Sequence, residues 1–278
     1  MSSASEQMLL RFWGVRGSIP TPCVQNMGSG GNTSCLEVRL PGGQVVIVDG
    51  GTGVRPLGAA LMKEAAGQPA DLHLFLTHFH WDHIQGLPFF QPLYSRENSV
   101  TFYSMKSPSE TSETLEGQMS VPYFPVDFRF LPAQRHFVNV SQQLVHFGET
   151  TVRSFPLNHP QGCLGYSFRH GDRKVVFASD LEHGVPEFDR GLIDVAKNAD
   201  ILIYDAQFTP EEYEHRHGWG NSTWLEATKV AKNAGVKKLL LFHHDPAHDD
   251  DTLHSILDNA RREFPETYLA TEGETIGV

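Results

Sequence analysis

Seven residues constrain this chain more than any others: Thr77-His78-Phe79-His80-Trp81-Asp82-His83, directly after the apolar run Leu72 to Leu76. The run reads as a β-strand, and the segment behind it as a loop turning into a helix. That geometry lets His78, His80, Asp82 and His83 converge on one point. Packed together without a partner, such groups would have to be desolvated or would repel one another. Imidazole and carboxylate are suitable ligands for zinc and similar divalent ions. A solvated His-rich turn is the competing reading, and placement at a strand end argues against it.

Three more side chains occupy the same kind of position. His159 follows Phe155-Pro156-Leu157, Asp180 follows Val175 to Ala178, and His243 follows Leu239 to Phe242. Alone, each reads as a surface or capping residue. Together they repeat one arrangement, an apolar strand ending in a ligand-type group, and strand ends are where rigid scaffolds present functional groups.

The remaining chain fits a mixed α/β protein. Strands are expected at Met8 to Val15, Cys35 to Leu40 and Val45 to Val48, with Pro41-Gly42-Gly43 turning between the last two. A second series runs from Gln143 to Phe147, Thr151 to Pro156, Leu164 to Arg169, Lys174 to Ala178, Ile201 to Tyr204 and Lys238 to Phe242. Helices are expected over Val54 to Ala66, Thr223 to Ala234 (a capping box at its start, Gly235 at its end) and Asp250 to Glu263. Residues 104–132 read as a lid or insertion with a short helix at Leu115 to Met119, within one domain spanning 1–278. The aromatics Phe89, Phe90, Tyr94, Tyr123, Phe124 and Phe128 fit a core better than a base-stacking face.

Composition excludes several classes. Lys+Arg 22 against Asp+Glu 33 gives a net charge of −11, which argues against a large phosphate-binding surface and a stable nucleic-acid complex. No uncharged apolar stretch approaches a bilayer span, and Met1 to Leu10 lacks the pattern of a signal peptide. Cys23, Cys35 and Cys163 fit no CxxC motif and read as reduced thiols, so a cytoplasmic protein is expected. A homodimer is compatible with all of this.

The HxHxDH run with the later His159, Asp180 and His243 resembles the metallo-β-lactamase-fold hydrolases over nearly the whole chain. The resemblance implies a four-layered αβ/βα sandwich with two metals at one edge. It implies that His78, His80 and His159 hold one ion and Asp82, His83 and His243 the other, with Asp180 and a water or hydroxide bridging them. The strand-then-His register of Leu239 to His243 selects His243 over His244 as ligand, leaving His244 as a substrate or supporting contact. A second His at position 80 favours hydrolysis over the diiron redox members.

Gly30-Gly31-Asn32-Thr33-Ser34, Asp49-Gly50-Gly51-Thr52-Gly53, Leu157-Asn158-His159 and Phe242-His243-His244-Asp245-Pro246 look like the branch of tRNA 3′-processing nucleases and small phosphodiesterases. The opening Phe12 to Ser18 resembles a cyclic-nucleotide phosphodiesterase-like bacterial subgroup. Asp49 is expected to orient a ligand histidine. One departure stands out. Where the branch has a Gly-His-Ser-Thr turn, this chain has Gly220-Asn221-Ser222-Thr223. Asn221 can hydrogen-bond a phosphate oxygen but cannot deliver a proton, so either the activity is lower, or His215, His217 or His244 substitutes, or Asn221 is a turn residue.

The expected activity is therefore two-metal cleavage of a small phosphodiester, such as a cyclic nucleotide, with Asp82, Asn221 and His244 as the catalytic candidates. Zinc is the expected metal, with manganese and iron also fitting the ligands. Competing readings are a lactonase or other carboxylic-ester hydrolase, an RNA-processing nuclease, and a catalytically weak metal-binding sensor.

Overall fold

The computed structural model describes residues 7–141 and 143–278; most of the Met1 to Leu10 stretch read above for a leader lies outside them. The first half builds β1 (Leu9–Gly14), β2 (Cys35–Arg39), β3 (Val45–Val48), helix α1 (Val54–Ala65), β4 (Asp71–Phe75), the one-turn helix α2 (Trp81–Ile84), β5 (Ser99–Ser104), α3 (Pro108–Gln118) and β6 (Gln134–Asn139). The second half builds β7 (Leu144–Phe147), β8 (Thr150–Leu157), β9 (Cys163–His170), β10 (Arg173–Ala178), α4 (Pro186–Ala196) and β11 (Ile201–Asp205). After these come the one-turn α5 (Pro210–Tyr213), α6 (Trp224–Ala234), β12 (Lys238–Phe242), α7 (Asp250–Glu263), β13 (Thr267–Leu269) and β14 (Thr275–Gly277).

The strands form two seven-stranded mixed sheets, ordered β14-β1-β2-β3-β4-β5-β6 and β13-β12-β11-β10-β9-β8-β7. Strands β3 to β6 are parallel, as are β10 to β13. Parallel strands bury both faces, so they read as continuous apolar runs. In β10, Val175 and Phe177 meet the opposite sheet, whereas Val176 and Ala178 meet helices. Leu10, Phe12, Val46 and Phe75 pack between the sheets against Tyr166, Phe168, Leu240 and Phe242. Helices α4, α6 and α7 cover the second sheet through Leu192, Val230 and Ile256, and α1 and α3 cover the first through Leu57, Leu61 and Leu115. The result is a four-layered α/β sandwich, as the resemblance implies. Among the described residues, no helix is long and apolar enough to cross a membrane.

Residues 104–132 are the segment expected as a lid or insertion. They form the helical crossover between parallel strands β5 and β6, with Leu115, Met119, Phe128 and Leu131 in the core. Helix α3 is longer than expected and begins at a Ser107/Glu110 capping box. Its Ser- and Glu-rich face looked like a loop because only Thr111 and Leu115 of the helix are buried.

Candidate metal centre

The carboxyl ends of β4, β8, β10 and β12 open onto one edge of the sandwich, the usual place for a site in sheets of this kind. The loop after β4 delivers His78 and His80, and α2 delivers Asp82 and His83 one turn later. His159 follows β8, Asp180 follows β10 and His243 follows β12. The side chains form two groups: His78, His80 and His159, and Asp82, His83, Asp180 and His243; within each, the candidate ligand atoms lie within 4.8 Å of one another. All seven sequence candidates for ligands are thus brought together.

The backbone is bent to achieve this. Asp49, Asp180 and His243 follow β3, β10 and β12 with φ of 64°, 58° and 61°, and Ser18, whose N–H donates to Asp82 Oδ2 at 2.8 Å, has φ 62°. Non-glycine residues rarely adopt this left-handed conformation, and such strain clusters at functional sites. Close packing fixes the floor: a Cβ on Gly51 would lie 2.3 Å from Asp82 O, so only glycine fits beneath α2.

A frame of hydrogen bonds sets the ring orientations. The buried Asp49 carboxylate accepts from His83 Nδ1 at 2.7 Å, from Thr77 N at 2.9 Å and from the Ser34 and Thr77 hydroxyls at 3.0 Å. Asp49 therefore orients His83, turning Nε2 inward. His159 Nδ1 donates to Gly220 O at 2.7 Å, which likewise leaves its Nε2 for the site. A metal-bound imidazole typically has its other nitrogen held in this way.

Two observations test whether a metal fits. Nε2 of His78 and Nε2 of His83 are buried with no hydrogen-bond partner; the latter lies 3.2 Å from Asp82 Oδ2 and 3.1 Å from Asp180 Oδ2 without the alignment of a hydrogen bond. Buried polar atoms are normally satisfied, so inward-facing orphans of this kind fit divalent cations.

The charges agree. Burial would push the Asp82 and Asp180 carboxyls up, yet His83 and His243 beside them hold both well below the ordinary range. Burial would lower His83 and His243, but Asp180, Asp82 and their neighbours raise both, His243 to about 9. In the metal-free protein, protons on these imidazoles therefore supply the positive charge that the carboxylates require. Burial keeps His78 and His80 neutral, the form that binds a metal.

The other candidates divide. Asn221 joins the site: its Nδ2 donates to Asp205 Oδ2 at 2.8 Å and lies 3.4 Å from Asp180 Oδ1 and 3.3 Å from His243 Nδ1. His244 does not. Its ring is buried against Ala270 O at 3.0 Å, and burial lowers it to about 3, so the expectation of a substrate contact is corrected. His215 and His217 are exposed and neither is among the described residues lining the cleft. Sequence reasoning missed Asp205 and Gln207. Asp205 accepts from Asp180 N, Gln207 N and Ser222 N, and Gln207 Oε1 meets His243 Nδ1 at 3.1 Å. The signal was present, since Asp205 closes a strand buried along its whole length, much as Asp180 follows the buried end of β10.

A cleft of about 530 Å³ opens over the two groups, lined among others by Ser18, Trp81, Gln207, Phe208, Arg216, Trp219 and Asp245. Two face-to-face mixed sheets with flanking helices and a histidine–aspartate cluster at their shared edge define the metallo-β-lactamase fold. The beta-lactamase superfamily domain model matches residues 45–244, and the chain belongs to that family. It is similar to Ribonuclease Z of Ignicoccus hospitalis, 26% identical over 88% of this chain and 95% of that one, and to Ribonuclease Z of Thermoplasma acidophilum, 24% identical over 92% of each. Among solved structures, the metallo-beta-lactamase fold protein YhfI from Bacillus subtilis superposes with a TM-score of 0.71 at 22% identity, covering 98% of this chain and 99% of that one. A diphosphatase from the PhnP family superposes with a TM-score of 0.68 at 19% identity, covering 97% of each. The chain is a metal-dependent hydrolase.

Proposed function

We propose that the chain is a two-metal phosphodiesterase that cleaves a small phosphodiester, such as a cyclic nucleotide. The carrying observation is the pair of clusters, each with a buried Nε2 that makes no hydrogen bond, beneath a cleft lined in part by Arg216. His78, His80 and His159 would hold one ion, Asp82, His83 and His243 the other, and Asp180 would serve both; zinc suits this mixed set, and manganese or iron also fits. Bound there, two cations would make hydroxide available near neutral pH and offset charge on the phosphoryl oxygens.

The protein's own groups do the rest. Asp82, held by Ser18 N and His243 Nε2, is placed to orient the nucleophile and take its proton. Asp205 and Gln207 fix His243, and Asp205 holds the Asn221 amide, so Asn221 positions neighbours and supplies no proton. The substrate is taken from solution by a cytoplasmic protein, consistent with three free thiols, two of them buried. A homodimer remains compatible with the fold.

RNA processing is the second reading, favoured by the full-length relatives named Ribonuclease Z. A net charge of −11, with one arginine and no lysine among the described cleft-lining residues, weighs toward a small substrate. The test is metal content measured together with rates on bis(p-nitrophenyl) phosphate, cyclic nucleotides, lactones and a precursor tRNA. Two ions per chain and phosphodiester turnover that Asp82→Ala abolishes without unfolding are expected; lactone turnover alone, or near-normal activity of the variant, refutes the reading.

A further inference from the structure

We propose that Trp81, Trp219 and Arg216 form a subsite for an unpaired nucleobase and its adjoining anion, so that the substrate is a nucleotide ester; this rests on the phosphodiesterase reading. Trp81 is 75% and Trp219 63% exposed, and both line the same cleft as His80, Asp82 and Asp180. Large apolar side chains left in water around a polar site mark a binding surface more often than a packing defect. These two come from distant parts of the chain, Trp81 from the first turn after β4 and Trp219 from the loop before α6, yet they meet at one opening.

Neither indole is exposed because its backbone is loose. Trp81 opens α2, where it is flanked by His80 and Asp82, and its carbonyl accepts from Gln85 N at 2.7 Å. The Trp219 loop is tied to Glu182, whose carboxylate accepts from Tyr213 Oη at 2.9 Å, Gly218 N at 2.7 Å and Gly220 N at 3.0 Å. Gly220, next to Trp219, is the residue whose carbonyl holds His159, so the backbone that carries the indole is tied to the candidate metal centre. Arg216 belongs to the same loop. Its guanidinium lies 5.0 Å over the Phe208 ring, and Nη1 donates to Glu212 O at 3.1 Å, which leaves its other edge for an anion.

Two exposed indoles on anchored backbone, beside one guanidinium, suit a flat π-system attached to a negative charge, and aromatic stacking accepts any base. Beside the apolar Phe208 and Pro246, the wall carries the polar Ser18, Gln207, Asn221 and Asp245, which suit the hydrogen-bonding edges of a base.

The test compares thymidine 5′-(p-nitrophenyl phosphate) with methyl p-nitrophenyl phosphate on the metal-loaded protein. Both esters release the same leaving group, so the ratio of their kcat/KM values isolates the nucleoside. Trp219→Ala and Trp81→Ala should each lower that ratio about tenfold, with Trp219→Phe restoring most of it. An unchanged ratio in both variants overturns the subsite and leaves the phosphodiesterase reading intact. If neither ester is cleaved, the phosphodiesterase reading fails, and thymidine 5′-monophosphate titrated against tryptophan fluorescence decides the subsite alone. Quenching that weakens about tenfold in Trp219→Ala supports it, and absence of quenching overturns it.

Discussion

Replacing Asp49 by Asn tests whether the frame around the candidate metals, and not the ligands alone, sets affinity. The substitution keeps the shape of the side chain, and Asn tolerates the φ of 64° at this position, so no new backbone strain enters. What is lost is the charge. The Asp49 carboxylate accepts from His83 Nδ1, Thr77 N and two hydroxyls, and an amide would turn two N–H groups toward partners that are themselves donors. A hydrogen bond to a charged group contributes about 1.5–3 kcal/mol, which corresponds to roughly 10- to 150-fold in an equilibrium constant. Loss of an outer partner of a metal-bound histidine typically costs about 10–100-fold in affinity, so two independent routes reach the same range. Competition against a chromophoric chelator should show one of two ions weakened by that factor, the ion beside His83, while urea unfolding of the metal-free protein reports the lost stability separately. Unchanged affinity for both ions in a folded variant would refute the reasoning.

Asn221→His places an imidazole where the present amide cannot donate a proton to a departing alkoxide. Steady-state kinetics should show a rise of about tenfold or more on methyl-leaving phosphodiesters, within the usual contribution of a general acid, and little gain on p-nitrophenyl esters, whose leaving group needs no proton. The metal-free protein should lose stability at alkaline pH. His243 is raised to about 9 and His83 is raised as well, so their contribution is complete below about pH 6.5 and disappears as pH rises through 9. Thermal unfolding of chelator-treated protein should therefore fall between pH 6.5 and 9.5, whereas metal-loaded protein, holding these rings neutral, should not follow it.

Most of the candidate centre was legible because each of its seven residues lies in the segment that follows an apolar strand, and apolar runs are what sequence patterns reveal best. What stayed hidden has physical reasons. Strands β5 and β6 escaped because Ser99–Ser104 and Gln134–Asn139 mix polar residues into the ladder near a sheet edge. Helix α4 escaped because it starts on Pro186 without a side-chain cap, and only Leu192 and Ala196 of it are buried. The role of Glu182 is invisible in one dimension, since its three partners lie 31 to 38 residues away in the chain. Of the aromatics singled out from the sequence, Phe90 and Phe128 entered the core as expected, whereas Phe89, Tyr94 and Tyr123 are exposed; the exposed rings at the cleft are Trp81 and Trp219.

Strained residues turn candidate ligands over this edge of the fold. A strand that continued straight would carry Asp180 and His243 into the next layer of packing; a left-handed residue at each of these positions turns the side chain back over the sheet ends instead. Such turns are unfavourable for non-glycine residues, and the buried carboxylates Asp180 and Asp205 repel one another. Burial, and after it the nearby Asp180, raise Asp205 to about 6 even though His243 and Asn221 oppose the shift. Cations at the two groups would satisfy the orphaned imidazole nitrogens and offset that repulsion together. The sandwich thus provides rigid strand ends, and the metals proposed here provide the counter-charge that makes those conformations tolerable.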